Sequence, residues 1–242
     1  ISRKLCDIFA YFLGNLSAGM PCAVIVTCLF YGAISGSAPA TVAAVGSMTI
    51  PILTSLGYDL TFTTAIVAVA GGLGVIIPPS IPFIMYGMAS GASVSNLFLA
   101  GIIPGLMIGG LLMFYAIFYC KRNGEDKEKI HAEVKRLHDK GLFKVIKESF
   151  FAILSPIIIL GCIYSGIASP TEAAVISVFY ALFISLVVYR SIRIKDIWGI
   201  LQEAIRTFTP ILFILATSTA FSRVLPLMQV PQTASEFISN NF

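Results

Sequence analysis

A chain of 242 residues that is 57% hydrophobic, only 12% charged and has a mean hydropathy of +0.91 is not a soluble globular domain, in which about a quarter of the residues carry charge. The net charge of +4 is modest and sits mainly between apolar runs, so it marks membrane topology and not a nucleic-acid partner. Several runs exceed the ~20 apolar residues that span a bilayer and none alternates at period two, which predicts an all-α polytopic membrane protein and excludes a β-barrel.

Residues 1–21 carry Arg3, Lys4 and Asp7, then an apolar stretch, then Gly14, Asn15, Gly19 and Pro21. Two readings stay open here, an interfacial segment or the end of a preceding helix. Residues 22–34 are apolar but number only 13, about 20 Å as a helix and short of the ~30 Å hydrocarbon core. Next comes Ser35-Gly36-Ser37-Ala38-Pro39-Ala40-Thr41, followed by helix-compatible sequence to residue 56 and a Gly57-Tyr58-Asp59 turn. The short first arm and polar tip predict a re-entrant helical hairpin over 22–56; two separate spans are the alternative. Residues 62–90 form a helix broken at Gly71-Gly72-Leu73-Gly74-Val75-Ile76-Ile77-Pro78-Pro79-Ser80. Interior Gly costs about 1 and Pro about 3 kcal/mol, so no regular helix continues through that stretch. Residues 97–120 read as one uninterrupted span.

The loop 121–148 holds nine Lys/Arg among alternating acids, and is read as a solvated amphipathic helix on the cytoplasmic surface. Further transmembrane helices follow over 149–242: a span over 149–167, a turn at Ser169-Pro170-Thr171-Glu172, a return over 173–189, and a last span interrupted at Pro210. Glu172 reads as a helix cap. Glu203 and Arg206 stand at pairing distance on one face, and Trp198 beside Lys195 reads as an interface anchor. The five cysteines form no CxxC pair, and His131 and His138 lack metal-site spacing. No catalytic triad, nucleotide-binding loop or HExxH is present, so no enzyme is predicted.

Chemistry is therefore sought at the two breaks. Lipid tolerates no unpaired backbone, so broken helix at membrane depth lies against protein or lines a cavity. Unwound carbonyls and hydroxyls are oxygen ligands for a hard cation such as Na⁺, and the helix starting near Ala38 turns its positive end to the same place, where it suits a carboxylate. Small residues easing helix contact, or a simple proline kink, would also produce such motifs.

These same runs, GAISGSAPATVAAVGSMTIPIL, GYD, GGLGVIIPPSIPFIMYG, LFLAGIIPGL and IIILGCIYSGIASPTEAAVISVFYAL, resemble the large membrane subunit of tripartite ATP-independent periplasmic (TRAP) transporters of the sialic acid and C4-dicarboxylate type. The resemblance runs from about residue 14 to the end. It implies a Na⁺-coupled importer of an organic acid in the bacterial inner membrane, with a small four-helix membrane subunit and a periplasmic substrate-binding protein as partners. It also implies that residues 22–120 are a transport-domain repeat, one half of an inverted-repeat elevator; the second hairpin and proline-broken helix that the family would place after about residue 230 are not read in this chain, so the second repeat is expected to be absent from it. The chain, opening on Ile and stopping at Asn-Asn-Phe, is expected to be a piece of a longer protein. The candidate ion ligands are Ser35, Gly36, Ser37, Gly72, Gly74, Val75 and Pro78. The candidate substrate contacts are Ser37, Ala38, Thr41, Pro79 and Ser80. A carboxylate carrier without a soluble receptor, and a non-transporting scaffold subunit, are the alternatives.

Overall fold

A computed structural model describes residues 2–139 and 141–229, with residues 232, 235 and 239. Most of the stretch from 230 onward, in which the sequence reading finds no second hairpin, lies outside the described residues. Every regular element among the described residues is helical. The chain forms two units, residues 1–182 and 183–242.

In the first unit, α1 (Ser2–Leu13) is amphipathic, and it buries Leu5, Ile8 and Ala10 against α2 (Gly19–Ser35) and α8 (Leu142–Tyr164). It is thus an amphipathic helix packed into the unit. Helix α2 starts three residues before the apolar run at 22, because Pro21 falls in the first turn, where its missing N–H removes no helical bond. Its 17 residues reach about 26 Å, so the first arm is longer than the sequence suggests. Two residues, Gly36 and Ser37, turn the chain into α3 (Ala38–Ser55), which packs on α2 and on α4 (Leu60–Gly72). Asp59 caps α4 by accepting from the Phe62 N–H at 2.9 Å.

A 3₁₀ turn, Leu73–Val75, ends this stretch, and residues 76–80 are not helical. Helix α5 (Ile81–Ser90) and the 30-residue α6 (Val94–Asn123) follow. The core forms where α2, α3, α4 and the 3₁₀ turn meet, around Ile25, Val45, Leu53, Val67 and Leu73. A second cluster joins Phe98 of α6, Ile159 and Ile163 of α8, and Ala173 of α9 (Pro170–Phe183).

The charged segment after α6 is divided between α7 (Lys127–Asp139) and the start of α8. Its residues Ile130, Val134 and Leu137, one apolar stripe, are buried, and α7 packs on α1. Just before α7, the half-buried Glu125 carboxylate accepts from the Ala18 N–H at 3.0 and 3.1 Å and from the Tyr58 hydroxyl at 2.6 Å. One side chain thus ties together the loops that precede α2, α4 and α7.

In the second unit, α10 (Ile197–Leu227) runs as a helix through Pro210, so that proline does not interrupt it. Asp196 accepts from the Arg193 N–H at 2.8 Å at its approach. Four helical segments of the described chain are long and apolar enough to cross a membrane, namely Ala38–Ser55, Val94–Asn123, Pro170–Val188 and Ile194–Val224. The described cysteines are free thiols, four of the five buried.

Candidate functional site

The two interruptions of helix come together. The Ile81 N–H, first in α5, donates to the carbonyl of Gly36 in the turn between α2 and α3, at 3.4 Å. A few residues away, Gly32 of α2 and Gly74 of the 3₁₀ turn approach so closely that a Cβ on Gly32 would stand 2.6 Å from the Gly74 Cα. No larger residue fits at Gly32 without moving backbone. Gly36 itself has φ +61°, the left-handed region that glycine adopts without steric cost.

Around this contact the hydroxyl groups form one connected cluster. Ser35 Oγ and Thr41 Oγ1 lie 2.8 Å apart. The Ser37 carbonyl accepts from the Thr41 N–H at 3.0 Å, from Thr41 Oγ1 at 2.8 Å and from Ser35 Oγ at 3.2 Å. Gly74 faces the same group, since a Cβ there would meet Thr41 Oγ1 at 2.6 Å and the Ser37 carbonyl oxygen at 3.1 Å. The oxygens of Ser35, Ser37 and Thr41, with the backbone of the second break beside them, make a compact polar cluster among apolar helices.

The predicted residues divide by their surroundings. Ser35, Gly36, Ser37, Thr41 and Gly74 are drawn together as described. The fully buried Ser80 is committed locally: its Oγ donates to the Val75 carbonyl at 2.6 Å and accepts from the Phe83 N–H at 3.4 Å, which locks the break and caps α5. Val75 enters through that carbonyl. Pro78 is buried and the Pro78–Pro79 bond is cis, with the Pro79 carbonyl oxygen 2.8 Å from where a Cβ on Gly36 would lie. Gly72 closes α4 with nothing within 4 Å of a hypothetical Cβ, so it stands back from the contact.

The two helix starts differ in a way that matters chemically. Ser80 caps α5, and the Ile81 and Phe83 N–H groups have partners. At α3 no side chain caps the end, Pro39 has no N–H, and Pro39 and Ala40 are exposed. The uncapped start of α3 is where the helix dipole and free donors favour an anion. The end of α2 brings the Gly36 carbonyl to the same region, and a helix C-terminus favours a cation. No Asp, Glu, His or Cys cluster of metal-binding type occurs among the described residues, so any ion here would be held by neutral oxygens.

Sequence reasoning missed Glu125. Its partners are 67 and 107 residues away, and a carboxylate within an alternating charge run carries no local sign of such a role.

The described chain is helical throughout its regular elements, with two helices broken against each other and four segments long and apolar enough to cross a membrane. Residues 1–241 match the family described as tripartite ATP-independent periplasmic transporter, DctM component, and the chain belongs to that family. It is 41% identical over 236 residues to the isethionate TRAP transporter permease protein DctMQ of Oleidesulfovibrio alaskensis, covering 98% of this chain and 36% of that protein. Against the C4-dicarboxylate TRAP transporter large permease protein DctM of Pseudomonas aeruginosa the identity is 36% over 239 residues, covering 99% and 55%. Against the sialic acid TRAP transporter large permease protein SiaM of Vibrio cholerae it is 31% over 244 residues, covering 100% and 56%. The chain thus spans about half the length of the two large permeases, and less of the isethionate protein. These relatives are transporter permeases, as the resemblance in the sequence implies.

Proposed function

We propose that this chain is the part of a TRAP large membrane subunit that carries one half of the ion and substrate site, in a Na⁺-coupled importer of a small organic anion in the bacterial inner membrane. The observation that carries the reading is the meeting of the two breaks, at the Gly36–Ile81 hydrogen bond and the Gly32–Gly74 contact. Ser35, Ser37, Thr41 and the carbonyls at Gly36 and Gly74 supply oxygens for Na⁺, helped by Gly72, Val75 and Pro78 shaping the second break. The open start of α3 at Ala38, flanked by Pro79 and Ser80, receives the carboxylate or other acidic group of the substrate.

Na⁺ occupancy would compete for the Ser37 carbonyl, which takes three hydrogen bonds here. Ion binding would therefore rearrange the tip, and a rearranged tip is a means of coupling ion to substrate. The chain between the two breaks moves as one body in an elevator, carrying the site across the membrane. The hairpin of α2 and α3 is re-entrant, a reading supported by its two-residue polar turn and less by its length.

The relatives are named for isethionate, a sulfonate, and for the carboxylates C4-dicarboxylate and sialic acid. An organic acid is the proposed substrate class. The family's tripartite description supports a periplasmic binding protein and a small membrane subunit as partners.

The test is uptake of labelled anion into proteoliposomes holding the full transporter, with and without its purified binding protein. Uptake is expected only with the binding protein and an inward Na⁺ gradient. The Ser35→Ala/Thr41→Val variant should raise the Na⁺ concentration for half-maximal uptake about tenfold, the loss of roughly 1.4 kcal/mol of ion binding. Uptake that ignores Na⁺, or a variant with an unshifted Na⁺ requirement, overturns the reading; uptake without the binding protein points to a receptor-independent carrier.

A further inference from the structure

A groove of about 380 Å³ lies between α4 and α6, and none of its lining residues belongs to either break. Asp59 stands at one end, Val69 and Leu112 at the other, and Phe62, Tyr115 and Tyr119 between. We propose that this groove binds one membrane phospholipid bearing a primary ammonium, phosphatidylethanolamine being the probe.

The argument begins with the gradient of polarity along the groove. From Asp59 to Val69, α4 advances ten residues, about 15 Å, which is half of a ~30 Å hydrocarbon core. Over that depth the lining passes from a carboxylate, through aromatic rings, to aliphatic groups. A single leaflet presents the same order of headgroup, interface and acyl chain. On α6, Leu112, Tyr115, Tyr119 and Arg122 recur every three or four residues and share a face, so Arg122 stands one turn beyond Tyr119 at the polar end. That end therefore offers one acid and one base, complementary to a headgroup with one ammonium and one phosphate.

The identity of the ammonium follows from the rings. Phe62 and Tyr119 stack at 4.0 Å with only 2° between their planes, so each covers a face of the other. Recognition of a quaternary ammonium relies on open aromatic faces, and here those faces are partly spent on each other. The carboxylate of Asp59, exposed and with Oδ2 accepting from the Phe62 N–H, instead suits an ammonium that can donate hydrogen bonds. Tyr115 and Val69, both more than half exposed, leave the apolar wall open to a chain.

The experiment uses the full transporter in nanodiscs of equal phosphatidylethanolamine, phosphatidylcholine and phosphatidylglycerol, with retained lipid read by native mass spectrometry. The expected result is enrichment of phosphatidylethanolamine over phosphatidylcholine by about fivefold, the range of an exposed ion pair. Asp59→Asn keeps the capping oxygen and removes the charge, so it should abolish the preference while circular dichroism stays unchanged. Val69→Trp fills the apolar end and should remove the bound lipid altogether. Equal retention of the three lipids, or a preference that survives Asp59→Asn, overturns the proposal. So does a photoreactive residue at position 69 that couples to protein instead of lipid, which would make the groove a protein interface.

Discussion

Two glycines and one carboxylate set the tolerances of this structure at the residue scale. Gly74→Ala would push a methyl group to 2.6 Å from Thr41 Oγ1 and 3.1 Å from the Ser37 carbonyl oxygen. The Thr41 hydroxyl must turn away or the two breaks must separate, so the full subunit should lose about 1–3 kcal/mol, the usual cost of overpacking, seen as a lower Tm in detergent. Gly72→Ala, with nothing within 4 Å, is the control and should leave Tm nearly unchanged. Glu125 acts by hydrogen bonding. Glu125→Ala leaves the fully buried Ala18 N–H and the largely buried Tyr58 hydroxyl without their acceptor, an expected loss of about 1–3 kcal/mol. Tyr58→Phe on that background should cost little more, and full additivity in the double-mutant cycle would show that the two do not interact.

At the scale of elements, the breaks were legible because Gly, Pro and Ser interrupt sequence that otherwise suits hydrocarbon. Their partnership was not, since Gly36 and Ile81 are 45 residues apart and the bond between them is main chain to main chain. The start of α2 was misjudged for a local reason: Pro21 looks like a boundary and is in fact a first-turn residue. The burial of α7 was hidden by composition, as a helix with three apolar residues among charges reads as surface until α1 is seen to cover it.

The cap of α9 shows the reverse, a local motif read in full. Glu172 accepts from the Ser169 N–H at 2.7 Å and from its hydroxyl at 2.8 Å, while Ser169 Oγ accepts from the Glu172 N–H at 3.4 Å. Amide exchange at Thr171–Ala173 should therefore be slower than in Glu172→Ala, which removes the acceptor of both Ser169 donors, and equal exchange in the two would contradict the assignment.

For the whole molecule, the arrangement concentrates polar chemistry at one place in an apolar fold. Between residues 8 and 120 the only ionisable acid or base of the Asp, Glu, Lys, Arg or His type is Asp59, and it is occupied with capping α4. An ion carried through this region must be met by carbonyls and hydroxyls, which bind Na⁺ without leaving a buried charge when it departs. A site without fixed charge is suited to an ion that has to leave again on the other side. A thermal-stability titration of the purified full subunit with Na⁺, at constant ionic strength in choline chloride, tests this most directly. Tm should rise with Na⁺ as a ligand selective for the folded state requires, and the rise should disappear in Ser35→Ala/Thr41→Val. A Tm indifferent to Na⁺, or a Na⁺-dependent rise that survives in that variant, would contradict the account.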